Sequence, residues 1–355
     1  MSIFARSPYI VTVNETGQEG SKVELFIWNG TGGAPASPSY TLSKLIPASN
    51  NINTEYNISP YLREFLTWTV RQQPYNGFAA SQITQYCRVQ IKTYKLVSGT
   101  YTLVDNDTFY SYDGFGYYEE GFNPSLVEDV LHDQGTFNYL YDGLSPSVFT
   151  NRRAGFIMVK TGTSYKAKYT NLVSGATFTQ TLTNNVLTDV LRVYPSYYSS
   201  GNTLEILDAS DNAIWTGTFK PNENCRYTPV MCDFVNKYGC WQRTYFYAAS
   251  NDTLNVENTE YNLMQTATSG YNTIQGQRQT FTTNGKKSIK VNTDWVDESY
   301  NELLRQLMLS EKILINSYPA KLNSKSTELF KNINTKMINY QLEFENSFDV
   351  INSVV

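Results

Sequence analysis

The stretch SIKVNTDWVDESYNELLRQLMLSEKILINSYPA, residues 288–320, with INYQLEFEN, residues 338–346, decides how the end of the chain folds. Ile289 and Val291 alternate with Ser288, Lys290 and Asn292, the period-two pattern of a strand with one covered face. Asp294 stands where a helix N-cap is expected, and Asp297 three positions on completes a capping box. Tyr300, Leu303, Leu304, Leu307 and Met308 then fall at helical spacing on one apolar stripe. Residues 313–315 read as a strand that Pro319 breaks. The clearest strand follows, Ile338, Tyr340, Leu342 and Phe344 alternating with Asn339, Gln341, Glu343 and Glu345. The pattern predicts a small α+β module over residues 288–355, one amphipathic helix on one face of a sheet. Trp295, Tyr300, Tyr340 and Phe344 are its expected packing anchors.

Upstream of that module the chain is β in style. A strand over residues 9–13 leads through a turn at Gly17 and Gly20 to Val23, Leu25 and Ile27, which alternate with Glu24 and Phe26. NGTGGAPASPS from Asn29 is too rich in Gly and Pro to hold a ladder, and residues 40–46 resume as a strand. Pro60 is placed to start a short helix with Tyr61, Phe65 and Leu66 on one face. Cys87, Val89 and Ile91 alternate with Arg88, Gln90 and Lys92 before a hairpin turn at Ser98–Gly99. An antiparallel β-sandwich over residues 1–121 is expected.

Residues 122–153 read as a crossover, with a short helix in NPSLVEDVLHD, and residues 154–264 as a second antiparallel sandwich. Its strongest element is the hairpin of Leu204 and Ile206, a turn at residues 208–212, then Ile214 and Trp215. Leu172–Gly175 echoes the Leu-Val-Ser-Gly of Leu96–Gly99, which would fit a duplicated sandwich, and residues 243–247 close the domain. The polar run 265–287 reads as a linker. The fold class is therefore mainly β, two sandwich-like domains followed by the α+β module.

A chain of 355 residues suggests two or three domains, and a hydrophobic content of 41% suffices for packed cores. The 28 basic and 32 acidic residues nearly balance, so no concentrated basic face for nucleic acid is expected. No apolar run has the length of a membrane span or of a secretory signal, which predicts assembly in a host cytoplasm. Cys87, Cys225, Cys232 and Cys240 have neither CxxC pairing nor metal-ligand spacing and read as buried small apolar residues. The 28 tyrosines offer rigid contact surface with a polar tip, suited to wet interfaces and glycan contacts, although an AT-rich genome would also enrich them.

Catalytic signatures are thin. His132, the one histidine, precedes Asp133, and no nucleophile elbow surrounds a serine, so a structural or solvated histidine is expected. Glu119–Glu120, read as strand neighbours on opposite faces, do not make a glycosidase pair. Asp105-Asn106-Asp107 lacks the Gly and Glu of a calcium loop and reads, like that pair, as turn or surface. GFGYY, residues 114–118, lacks the third Gly and the Lys of a phosphate loop. No catalytic, cofactor-binding or metal residue is assigned, and a non-enzymatic protein without cofactor is expected. The remaining candidates are Tyr110, Tyr112, Phe115, Tyr117 and Tyr118, and Tyr194, Tyr197 and Tyr198 around Pro195. Each set suits a subunit contact, a platform for sugar rings, or plain packing.

Three runs carry a resemblance: NTDWVDESYNELLRQLMLSEKILI (residues 292–315), KMINYQLEFENSFDVINSV (336–354) and CRYTPVMCDFVNKYGCWQRTYFYAASNDTLNVENTEYNLM (225–264). They resemble the C-terminal region of virion structural proteins from Bacteroidetes phages, crAss-like phages among them, over about a third of the chain. The resemblance implies a virion component of the tail, neck or baseplate and no chemistry. Expected partners are other copies in a ring-like homo-oligomer and neighbouring virion proteins, with the C-terminal module packing against its neighbour. The alternative is a receptor- or glycan-binding module contacting host-surface glycan; a tail-associated glycan hydrolase ranks third.

Overall fold

The computed structural model describes residues 2–47, 52–67, 78–80, 83–126, 130–140, 157–160, 165–182, 190–222, 226–264, 273–274, 276–296, 298, 300–325 and 338–352. Cys225 and Asp297 lie outside the described residues. The fold is mainly β, as expected. The chain forms two compact units, Met1–Glu223 with Val235–Thr244, and Asn224–Phe234 with Tyr245–Val355. This corrects the expected boundaries. Residues 226–234 and 245–264 group with the C-terminal module because Val230–Val235 pairs with Ile313–Ile315, Cys232 opposite Ile315 and Phe234 opposite Ile313.

The first unit contains two cores. A six-stranded sheet runs in the order Tyr40–Leu45, Gly20–Trp28, Tyr86–Val97, Thr100–Tyr112, Ser2–Phe4, Ser125–Leu126. Val23, Leu25, Ile27, Cys87, Val89 and Ile91 turn one face inward, as their alternation predicts. The helix Ser59–Arg63 and the strand pair Ile10–Val13 with Thr54–Asn57 cover that face, Leu62, Val13 and Tyr56 entering the core. Phe26, on the opposite face, is capped by the Lys92 ammonium 4.5 Å from its ring centre. Ser98 and Gly99, with φ of 49° and 76°, form the two-residue turn that matches strand twist.

The second core lies between a five-stranded sheet and a three-stranded one. The first has the order Gly135–Leu140, Ala213–Asn222, Asn202–Leu207, Tyr165–Asn171, Thr177–Leu182, and the second Ile157–Lys160, Val190–Val193, Phe78–Ala80. Tyr169, Leu204, Ile206, Trp215 and Phe219 from one sheet meet Val159, Leu191 and Val193 from the other. This is a β-sandwich that borrows one strand from the region assigned to the first domain.

Three expectations are corrected here. The sheets are not wholly antiparallel, since Ser2–Phe4 runs parallel to Thr100–Tyr112 and Gly135–Leu140 parallel to Ala213–Asn222. Ser125–Leu126 is a strand beside Ser2–Ile3, not the start of a helix. The two Leu-Val-Ser-Gly runs differ in geometry. Leu96 and Val97 are paired strand residues before a two-residue turn, whereas Leu172–Gly175 is wholly loop after Asn171.

In the second unit the helix Tyr300–Met308 lies on one face of its sheet, burying Leu303, Leu304 and Leu307 against Val291, Tyr340, Leu342 and Phe344. The Tyr340 hydroxyl donates to the Asn301 side chain, tying helix to sheet. Within this unit the sheet order is Val230–Val235, Ile313–Ile315, Tyr318–Leu322, Ile338–Asn346, Arg278–Val296, Asn251–Asn262. Pro319 does not break the strand as expected: Ile313–Ile315 ends at a turn of Asn316–Ser317 with φ of 49° and 72°, and Pro319 sits inside the next strand, Tyr318–Leu322, opposite Leu314. A two-residue hairpin needs only that pair of left-handed residues, so the proline need not stop the sheet.

Asp294 is not an N-cap. It has φ of 65° in a bulge where residues 293 and 294 both oppose Tyr340, and the strand continues to Val296. The extra residue reverses the alternation: Val291 and Thr293 point inward, and then Val296 does. Trp295 is consequently 60% exposed, so it is not a packing anchor, while Tyr340 and Phe344 are buried and Tyr300 packs on the core. The expected linker is also corrected: residues 278–287 are strand, registered against Leu254–Asn262.

Candidate functional site

The aromatic run after Thr100–Tyr112 separates into buried and presented rings. Tyr112 and Phe115 are buried, and Tyr110 stacks on Tyr112 while its hydroxyl accepts from Arg88 at 3.2 Å. Tyr118 is 100% exposed and Phe122 73%. Between these two kinds of ring the backbone is pinned from several sides. Gly114 passes so close to residues 237–238 that a Cβ there would meet the Lys237 carbonyl at 2.5 Å; Phe115 N–H donates to that carbonyl at 2.7 Å.

Glu120 is central to the pinning. Its Oε2 accepts from Tyr117 N–H at 2.9 Å, and its Oε1 pairs with Lys237 Nζ at 2.7 Å. Glu119 and Glu120 lie in a short 3₁₀ turn, Tyr118–Glu120, and not on a strand. Asn123, at φ 50°, holds both main-chain groups of Ile10: its Oδ1 accepts from Ile10 N–H and its Nδ2 donates to Ile10 O, each at 2.8 Å. Ser7 Oγ accepts from Gly116 N–H at 2.9 Å.

Ser7, Pro8, Ile10, Gly116, Tyr117, Tyr118, Gly121, Phe122, Asn123 and Pro124 surround an open cleft of about 640 Å³. None of these ten carries a carboxylate, ammonium or guanidinium.

The other candidates have structural roles. His132 is buried, edge-on to Phe137 at 5.1 Å and to Trp215 at 6.3 Å, and its backbone carbonyl accepts from Trp215 Nε1 at 3.2 Å. Burial pulls its pKa down, against the opposing pull of Asp133. It meets the Asp133 carbonyl, whereas the Asp133 carboxylate accepts from Tyr238 OH at 2.8 Å, so the two do not form a catalytic dyad. Asp105 and Asp107 sit on the exposed strand Thr100–Tyr112 and not in a turn.

Tyr194 is buried, its carbonyl accepting from Tyr169 OH at 2.6 Å, and Tyr197 stacks on Phe178 at 4.3 Å with Tyr198 against its edge. That cluster is packing. Cys87, Cys232 and Cys240 are buried free thiols, and burial pushes Cys87 up to about 12. Among the described residues no group of three or more His, Cys, Asp or Glu side chains is placed to hold a metal ion, and no helix is long and apolar enough to cross a membrane.

The surface that sequence reasoning missed is a β-hairpin arm in the second unit. Asn251–Asn262 is the edge strand of its sheet, and all twelve of its residues are exposed. It pairs with Arg278–Lys290, with Phe281 extruded as a bulge where Thr259 opposes Thr282 and Glu260 opposes Thr280. Among the described residues that partner strand has a third strand beside it from Ser288 on, Ile338–Asn346, and just beyond it Asn284 and Gly285 bond to Ile351 and Val350. Leu254 and Val256 flank Gly285, each 54% exposed, and Phe281 is 79% exposed. Residues 254–262, at about 3.4 Å each, reach about 30 Å from the root. The edge strand carries Asp252, Glu257 and Glu260 and no basic residue, and its companion carries Arg278, Lys286, Lys287 and Lys290 with no acid before Asp294.

No protein-family model matches the chain, and no curated protein matches it in sequence.

Proposed function

We propose that this protein is a structural subunit of a phage particle, in its tail, neck or baseplate, and that it joins further copies of itself through the hairpin arm. The exposure of every residue of Asn251–Asn262 carries this reading. Past Asn284 and Gly285, where residues 349–351 bond to it, the arm is a two-stranded hairpin, which is marginal in water unless a third strand or a packed face is added. Natural edges are blunted by Pro, Lys, bulges or shortness. This one is twelve residues long, has no Pro or Lys, and exposes Leu254 and Val256.

Charge favours a second copy as the occupant. The acidic edge of one arm complements the basic strand of another, and strand addition supplies main-chain hydrogen bonds along the ladder. Such a contact is heterologous, so repetition closes a ring or propagates a filament. The resemblance of residues 225–264, 292–315 and 336–354 to phage virion proteins supplies the particle context. Electron imaging of the purified full chain tests the reading: rings or regular filaments are expected, and isolated single subunits at all concentrations contradict it.

A further inference from the structure

The cleft beside Tyr118 differs from the arm in kind and shares no residue with it. An exposed aromatic on a loose loop loses rotamer and backbone freedom on binding, which consumes affinity. Tyr118 and Phe122 belong instead to a loop already fixed by the Asn123–Ile10 pair of hydrogen bonds, the Glu120–Tyr117 cap, the Ser7–Gly116 bond and the Glu120–Lys237 ion pair. Gly116 tightens it further, since a Cβ there would lie 2.3 Å from the Pro124 side chain. Much local structure is spent on holding two rings in solvent, 100% and 73% exposed, at the rim of one hollow.

The lining limits the ligand. Without a charged side chain among the ten residues, nothing in the hollow rewards a phosphate, a carboxylate or an ammonium. A volume of about 640 Å³ is in the range of small-ligand sites and suits a few rings more than an extended segment. The faces of Tyr118 and Phe122 carry negative quadrupole density, which attracts the weakly positive C–H face of a pyranose. Asn123 uses one N–H and one oxygen lone pair on Ile10, leaving a second donor and a second acceptor for hydroxyls. We propose that this cleft is a binding site for a neutral saccharide, with Tyr118 and Phe122 as stacking platforms and Asn123 as the hydroxyl-reading group.

The test uses the full chain and a panel of neutral oligosaccharides (glucan, mannan and galactan series), read by saturation-transfer NMR and then by calorimetric titration. At least one series is expected to bind at millimolar affinity or better. Tyr118→Ala and Phe122→Ala should each weaken that binding about three- to tenfold, the size of one ring contact. The double variant should abolish it, with thermal unfolding unchanged because both rings are exposed. Leu45→Ser, at an exposed position away from the cleft lining, should bind as the parent does. Absence of binding across the panel overturns the proposal, as does binding that survives the double variant. Capture of a proline-rich peptide in place of any sugar would also overturn it, since such segments dock on aromatic grooves too.

Discussion

The Tyr118 loop and the Asn251–Asn262 arm both hold apolar side chains in water, but one is pinned from several sides and the other is braced at its base and runs on as a bare ladder. Around Tyr118 the main chain is fixed by Asn123, Glu120 and Ser7. Beyond Asn284 and Gly285, which bond to residues 349–351, the described residues of the arm have only their own ladder. The contrast separates two uses of exposed apolar surface. A preorganised concave site suits a small ligand, because its ordering cost is met within the fold. An unsupported ladder suits a protein partner, because a second strand supplies the support the fold withholds.

Variants sharpen that contrast in descending size. Phe344 is fully buried and stands opposite Ile289, where the arm enters the sheet. Phe344→Ala should therefore cost about 3–5 kcal/mol in denaturant unfolding. Asn123→Ala leaves both main-chain groups of Ile10 without their partner and should cost about 1–3 kcal/mol.

His132 adds a pH dependence to the pinned unit. Burial lowers its folded pKa below the ordinary 6.5, so the unfolded chain binds the proton more tightly. Its stabilising effect is complete above 6.5 and declines as pH falls toward the folded value, by at most about 1.4 kcal/mol per pH unit. Unfolding midpoints of the parent and of His132→Gln, followed from pH 8 to pH 5, should show a steeper loss in the parent. Smallest of all, Leu254→Lys with Val256→Lys should change subunit stability by less than about 0.5 kcal/mol per site, because both side chains are already exposed. A large loss there would mean that these two side chains are packed within their own chain.

The legible parts of the sequence are those with one wet face and one dry face. Val23, Leu25 and Ile27, or Tyr340, Leu342 and Phe344, repeat every second residue because every second residue is buried. The same rule explains the failures. Residues 278–287, the companion strand of the arm, read as linker because their side chains are nearly all wet, which leaves no hydrophobic period to find, and residues 251–262 read as part of the second sandwich. The arm's one local signal was the run Thr253, Leu254, Asn255, Val256, too short to extend to Arg278.

Trp295 was misplaced because the bulge at Thr293–Asp294 reverses the alternation, and a bulge leaves little mark on composition. The aromatic run was visible as a candidate, but which of its rings are buried depends on residues remote in sequence. Lys237 lies more than a hundred residues from Phe115, as Ile10 does from Asn123.

The most direct test of the arm is the mass of the purified full chain, measured by light scattering across a concentration series beside the Leu254→Lys, Val256→Lys pair. A discrete oligomer is expected for the parent and a folded monomer for the variant, with matching circular dichroism. A parent that stays monomeric, or a variant that assembles as the parent does, would contradict the assignment of the arm as the joining surface.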